Sequence, residues 1–365
     1  MPGKENNIIK RVLNFKDVFK KLNEKSFPLT PTNDNMFDVI LALIPAAIFG
    51  VVVFGFNAAL ILLITTATAL ILEFLWNYIF KKPQLTSLLS AGAIGLMLGM
   101  CLPSTLPFWM AILITVLAFG FKHLFVFYNL YPTNFIVLPR IILSAIFPVA
   151  MTKFIVPFTP DAVATATPLA SIYGEAAAPS IKMAFFGIHS GSIGETSVFF
   201  LLIGAIYLII RRIINPTVPL CFIGSVALLS LISGQNALLA ILSGGLVFAA
   251  FFIATDFYTQ PQTLMGKIIF GLSLGVVTFI IRFFDILPEG IGCAIIIVTL
   301  VNFGIKMFVK YKTCDFIKAK IKQFMDSEFY KDLAKEFKQF ISTIKDLFKS
   351  ITQRIMDIIR NIKHK

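Results

Sequence analysis

The sequence predicts an all-α polytopic membrane protein of about ten transmembrane helices. They are read as two inverted five-helix halves, followed by a C-terminal amphipathic helical tail. Three observations carry this reading. The chain of 365 residues is 57% hydrophobic and only 14% charged, with mean hydropathy +0.86, whereas soluble domains are about half apolar and about a quarter charged. The apolar residues gather in stretches of roughly 17–25 residues, the length that a bilayer core demands of a helix. The net charge of +13 is concentrated at the two ends, which speaks of topology and lipid headgroups rather than nucleic acid.

Residues 1–36 form a basic segment without an early apolar core, so no cleaved signal peptide is expected. The membrane domain, 37–310, contains apolar spans at about 37–56, 57–80, 85–102, 107–121, 137–157, 197–210, 218–232, 237–255, 268–283 and 290–310. The short spans are candidates for tilted or broken helices.

Lys and Arg mark cytoplasmic loops. Seven precede Met36, and with that segment inside, Lys81, Lys82, Lys122, Arg140, Arg211, Arg212, Lys267 and the tail also fall inside. The opposite loops at Gly55, "PSTLP" and "SGQN" hold no Lys or Arg, and the long 158–196 loop holds only Lys182. Both termini are therefore expected in the cytoplasm and 158–196 outside a plasma (inner) membrane. Five spans per half would invert the second half relative to the first. The third span of each half shares a small-residue core, "SLLSAGAIGLMLG" and "AILSGGLVFAAFF". Small residues also pack membrane helices closely without any repeat.

Few residues invite chemistry. Cys101, Cys221, Cys293 and Cys314 are isolated and read as small buried residues, so no cluster or zinc site is expected. Glu73 lies inside the second span, where a carboxylate costs at least a few kcal/mol and marks an ion path. It reads equally as the partner of Lys81 or Lys82. Asp256, at the end of the eighth span, is a second ion-path candidate. Arg282 is read as pairing with Glu289, and His123 and His189 as loop residues.

The polar breaks carry most of the information. "DAVATATPLA" (161–170), "HSGSIGETSVFFLLIGAIYLI" (189–209), "SGGLVFAAFFIATDFYTQP" (243–261) and "LPEGIGCAI" (287–295) follow in this order. Together they resemble the RnfD/NqrB family, most closely its RnfD branch: membrane subunits of ion-translocating ferredoxin:NAD and NADH:quinone oxidoreductases. The resemblance covers roughly 37–310. It implies FMN linked through its phosphate, as a phosphoester, to a threonine outside the membrane, within a pattern like D-x-x-[ST]-G-A-T. Asp161, Ala166 and Thr167 match that pattern; Ala164 and Thr165 replace its Ser/Thr and Gly. The implied acceptor is Thr167, with Thr165 and Thr159 as lesser candidates. On its own residues the stretch also reads as a threonine-rich cap or turn.

The resemblance also implies a flavin nest in "GIHSGSIGETS". Gly187, Gly191 and Gly194 would let backbone N–H groups approach the cofactor, and Ser192, Glu195, Thr196 and Ser197 would face its ribityl hydroxyls. A second, non-covalent flavin (riboflavin) belongs to the same implication. However, "FKHLFVFYNLYPTNFIVLPR" keeps Lys122, Asn134 and Arg140 while losing most of the family's glycines, so that flavin is not expected beside this loop.

From Phe337 the tail (311–365) carries a heptad-spaced stripe of Phe, Ile and Leu opposite lysines. It reads as a helix on the anionic inner leaflet or as a docking helix for another subunit. With no complete active site, catalytic residue or metal site of its own, the chain is expected to relay electrons through FMN within an Rnf-type complex. The other subunits and a flavin transferase would be its partners, and the coupled ion would be Na⁺ or H⁺. The alternative is a stand-alone transporter or channel on an inverted five-helix repeat.

Overall fold

The computed structural model describes residues 33–80, 85–128, 130–158, 163–164, 180–195, 197–243, 245–284 and 290–311. The readings placed on 1–32, Lys81, Lys82, Thr159, Asp161, Thr165, Thr167, Thr196, Glu289, Cys314 and the tail from 312 onward lie outside these residues.

The protein is a bundle of α-helices. In chain order they are α1 (Asn33–Phe54), α2 (Phe56–Phe80), α3 (Leu85–Met100), α4 (Phe108–Tyr128), α5 (Val137–Ile146), α6 (Pro148–Thr152), α7 (Ile181–Phe186), α8 (Val198–Ile210), α9 (Thr217–Ile232), α10 (Ala237–Leu242), α11 (Leu246–Phe248), α12 (Leu264–Phe283) and α13 (Gly290–Tyr311). A π-helical turn, Ala249–Ile253, continues α11. The one described sheet is a two-residue antiparallel ladder of β1 (Phe154–Ile155) and β2 (Val163–Ala164).

Among the described residues, five helices are long and apolar enough to cross a membrane: α1, α2, α4, α12 and α13. Each is apolar nearly all round because lipid, like the core, accepts apolar side chains. Large side chains such as Phe74, Trp109 and Leu228 accordingly stay exposed. Helices α3, α5, α8 and α9 are apolar but shorter.

Small residues set the closest approaches. Gly95 and Gly99 of α3 lie against α2, where a Cβ on Gly95 would come within 2.7 Å of Ala69 Cβ. Gly271 and Gly275 of α12 lie against α9, where a Cβ on Gly271 would come within 2.8 Å of Val218 O. Both are small-xxx-small pairs, which gain dispersion contact where lipid supplies no hydrophobic drive between helices. The contacts recur: α2 packs on α3 and α4, and α9 on α10 and α12; α1 packs on α3, and α8 on α11; α1 and α8 pack on each other.

The eighth span is not one helix. Helix α10 stops at Leu242, Ser243 is extended, and Gly245 adopts φ +69°, a conformation that favours glycine. The third span of the first half, α3, has no such break. The fifth span divides at Phe147–Pro148, because Pro148 has no N–H to continue α5.

Candidate functional site

Hydrogen bonds gather the loops with few lysines and arginines at one end of the bundle. Phe158 N donates to Val53 O at 3.1 Å, Ile193 N to Leu102 O at 3.1 Å, and Gly194 N to Met100 O at 2.8 Å. Thr105 Oγ1 donates to Lys153 O. The last turn of α1, the α3–α4 connection, the end of α6 and the 189–197 loop therefore meet. At the opposite end Tyr207 and Arg211 bind Asp38, at 2.7 and 3.1 Å.

The stretch before α8 packs into the bundle. Helix α8 has 13 residues, about 20 Å at 1.5 Å per residue, against a hydrocarbon core of about 30 Å. The chain before it must make up the difference. Ser197 caps α8, accepting from Phe200 N, so it is a helix start rather than a free hydroxyl. Gly191, Ser192 and Gly194 are buried. The amides of Ile193, Gly194 and Glu195 are spent on the carbonyls of Leu102, Met100 and Ser192, so they are not presented as an open nest. Ser192 Oγ is buried without a partner among the described residues.

Glu195 turns the other way. Its Oε1 accepts from Arg140 Nη1 of α5 at 2.9 Å, and its side chain fills the space where Gly245 lacks a Cβ. Arg140 is thus not a simple inner-loop charge. Arg282, expected beside Glu289, instead donates to Ala240 O at 3.0 Å and Ser243 O at 3.1 Å. It caps the C-terminal carbonyls of α10, where a cation also complements the helix dipole. No sequence spacing announces that role, since 42 residues separate Arg282 from Ala240.

Glu73 is buried inside α2, and its Oε2 lies 2.8 Å from Lys122 Nζ and 3.3 Å from His123 Nε2. Lys122 and His123 are not loop residues: α4 continues to Tyr128 and buries both. The His123 ring stacks on Trp76 at 4.1 Å, and Lys122 Nζ sits 4.9 Å from the Phe119 ring centre. His189 is buried in its loop. Among the described residues no three metal-ligating side chains converge. Cys101 is buried, while Cys221 and Cys293 are half-buried, and none of the three is in a disulfide.

Asp256 lies in the turn after the π-helix, where Thr259 Oγ1 donates to its Oδ2 at 3.4 Å. Burial pushes its carboxyl up to about 6, against backbone N–H groups that favour the charged form. It borders a small cavity of about 60 Å³ with Asn134, Thr255 and Tyr258. Asn134 Oδ1 accepts from Ile136 N at 2.8 Å. The Tyr258 ring stacks on Tyr131 at 4.6 Å.

The β2 strand ends at Ala164 opposite Phe154. A groove of about 460 Å³ adjoins this point, lined by Thr105, Pro107, Phe147, Pro148 and Lys153 among others. Lys153 and Thr105 carry no motif and were not singled out by the sequence.

The comparisons agree with this architecture. The chain is 34% identical over 287 residues to the D subunit of the proton-translocating ferredoxin:NAD(+) oxidoreductase complex of Clostridium ljungdahlii, covering 73% of this chain and 87% of that protein. It is 34% identical over 281 residues to the D subunit of the Na(+)-translocating ferredoxin:NAD(+) oxidoreductase complex of Acetobacterium woodii, covering 75% and 88%. Against the D subunit of the ion-translocating oxidoreductase complex of Rhodobacter capsulatus the identity is 31%, covering 70% and 83%. The NQR2, RnfD, RnfE family profile matches residues 29–315, most of the chain and every described helix, so the chain belongs to the NQR2, RnfD, RnfE family.

Proposed function

We propose that this chain is the electron-relaying, RnfD-type subunit of a membrane-bound, ion-translocating ferredoxin:NAD⁺ oxidoreductase complex, carrying FMN on Thr167 through a phosphoester. The observation that carries the reading is the family match across the whole membrane domain, with relatives named as complex subunits over more than four-fifths of their own length. One of those relatives is named for protons and one for Na⁺ at the same identity, so similarity does not choose the ion.

The residues present fit the cofactor. Thr167 supplies the hydroxyl that a phosphoester needs, and Asp161 precedes it as in the family pattern. The β1–β2 ladder anchors the chain three residues before Thr167, beside a groove of ligand size. Bound there, FMN supplies one- and two-electron chemistry; the protein supplies position, charge and exclusion of water. Gly191, Ser192 and Gly194 line the loop between this end and the helix break, and Glu195 ties that loop to α5. A second, non-covalent flavin (riboflavin) is not assigned to the space at Asn134 and Asp256, which is only about 60 Å³.

The ten apolar segments are assigned as two inverted halves, α1–α6 and α8–α13, supported by the recurring helix contacts and the α1–α8 pairing. Lys/Arg asymmetry puts both termini inside and 158–196 outside. Glu73 and Asp256 are assigned to the ion path, since neither carboxylate is needed merely to fold an apolar bundle. The other complex subunits and a flavin transferase are the implied partners.

The test is genetic and biochemical together. Membranes lacking this chain should lose ferredoxin-dependent NAD⁺ reduction coupled to ion uptake. Wild-type chain should restore it and Thr167→Ala should not. Full activity with Thr167→Ala contradicts the reading.

A further inference from the structure

Helix α10 ends inside the bundle with its last carbonyls on a charge. Ala240 O accepts from Arg282 Nη1 at 3.0 Å and Ser243 O from Arg282 Nη2 at 3.1 Å. The chain then turns through the extended Ser243 and the left-handed Gly245, so these carbonyls have no next helical turn to bond. Interrupted membrane helices use such carbonyls, and the C-terminal ends of half-helices, to coordinate small cations. Here a guanidinium holds them, and it is buried: Arg282 is 8% exposed.

Two hydroxyls at this place are not used. Ser243 Oγ and Thr278 Oγ1 belong to fully buried residues, and neither has a hydrogen-bond partner among the described residues. Thr65, Thr115 and Thr299, buried in other helices, each donate to the carbonyl four residues back; Thr278 does not. It lies one turn before Arg282 on the same face of α12. Helical side chains lean toward the N-terminus, so Arg282 leans over Thr278. Next to the break, the Glu195 side chain fills the space where Gly245 lacks a Cβ. Carbonyls, hydroxyls and a carboxylate are the oxygen donors that hard cations take. An arginine cap needs only the two carbonyls, and burying two idle hydroxyls beside it is costly.

We propose that the end of α10 is a site for a Na⁺-sized cation, and that Arg282 occupies it as a tethered cation, closing the break to free ions. Ala240 O and Ser243 O bind either the guanidinium or the ion, so the two exclude each other. Ser243 Oγ and Thr278 Oγ1 serve the ion alone. The site rests on the reading of the chain as part of an ion-translocating complex, and it adds where a cation stops and what keeps the break from leaking.

The experiment uses the full-length chain in proteoliposomes without electron donors, so that the site is measured apart from the redox reaction. Influx of radioactive Na⁺ should stay at background for the wild type and rise several-fold in Arg282→Ala. Guanidinium added to the medium should close that leak, because it replaces the lost side chain. In detergent, NaCl should raise the melting temperature of Arg282→Ala above its value in choline chloride of equal strength, and leave the wild type unmoved. Adding Ser243→Ala and Thr278→Val should weaken that Na⁺ response several-fold. Arg282→Lys keeps a charge but lacks the planar fork that spans both carbonyls, so it should leak to an intermediate extent; it decides the matter where Arg282→Ala does not insert. Vesicles that stay tight with both variants, a leak that guanidinium leaves open, the absence of a Na⁺-specific shift, or a shift undiminished without the two hydroxyls each overturns the site. Arg282 is then a helix cap and the ion-translocating reading stands. An assembled wild-type complex that takes up no ion sinks that reading instead, whatever the Arg282 variants do.

Discussion

Arg140 Nη1 and Glu195 Oε1 lie 2.9 Å apart, although the Lys/Arg count assigns one to an inner loop and the other to an outer one. They meet because the elements carrying them are short. Helix α5 has 10 residues and α8 has 13, so the polar chain beside each is drawn toward the helix break at Ser243–Gly245. The pair then neutralises two charges that lipid would not accept singly. Glu195→Gln should lower stability in detergent by about 2–4 kcal/mol, because it leaves a half-buried guanidinium uncompensated. Glu195→Gln with Arg140→Gln should recover part of the loss. A double-mutant cycle from thermal unfolding measures this; additive losses would contradict the pairing.

Glu73 is tested the same way but with a functional readout. Its carboxylate faces Lys122 and His123 within α2 and α4. Glu73→Gln should abolish most ion uptake in reconstituted vesicles while leaving flavin on Thr167. Lys122→Met should destabilise the chain and Glu73→Gln with Lys122→Met less so, since the double variant buries no lone charge. Normal uptake by Glu73→Gln would confine the cluster to a structural role.

Asp256 predicts a pH dependence. Its carboxyl is raised from 3.8 to about 6, so the folded protein holds this proton more tightly than the unfolded chain. The stability this provides is complete below about pH 4 and is lost as pH rises through about 6. Asp256→Asn keeps a neutral side chain throughout. The wild type should therefore lose stability relative to Asp256→Asn between about pH 4 and 6, by on the order of 3 kcal/mol. Parallel thermal-shift curves across that window would show that burial does not govern this group.

Orientation is open to labelling. Cysteines at residues 177 and 350, in place of Ala177 and Ser350, should react with membrane-impermeant reagent from outside and from inside, respectively. Residue 177 reacting only from inside would reverse the topology and remove the outer flavin.

Much of this arrangement was legible in the chain. Helix positions followed from hydrophobic length: α8 falls on the span expected at 197–210 and α12 on that at 268–283. The break in the eighth span was not announced, because "AILSGGLVFAAFF" read as a continuous small-residue core. What was not legible depended on partners far along the sequence. Glu73 looked equally suited to Lys81 or Lys82, because sequence proximity is all that a lone chain displays; its bonds go to Lys122 and His123, 49 and 50 positions on. Apolar residues continue past Lys122, but two basic residues together read as a helix end, and the buried carboxylate that tolerates them was out of sight. Arg282 likewise read as the partner of nearby Glu289, because backbone carbonyls exposed by a distant break leave no mark on its neighbours. Lys153 and Thr105 carried no pattern at all; the β1–β2 ladder and the bond from Thr105 to Lys153 O set them near Ala164.

The attachment itself is the central claim, and denaturing electrophoresis tests it most directly. Wild-type chain co-expressed with a flavin transferase should run as a flavin-fluorescent band that survives denaturation, and Thr167→Ala should insert normally yet run dark. A fluorescent band retained by Thr167→Ala would move the attachment to Thr165 or Thr159, and a dark wild-type band would contradict the flavoprotein reading.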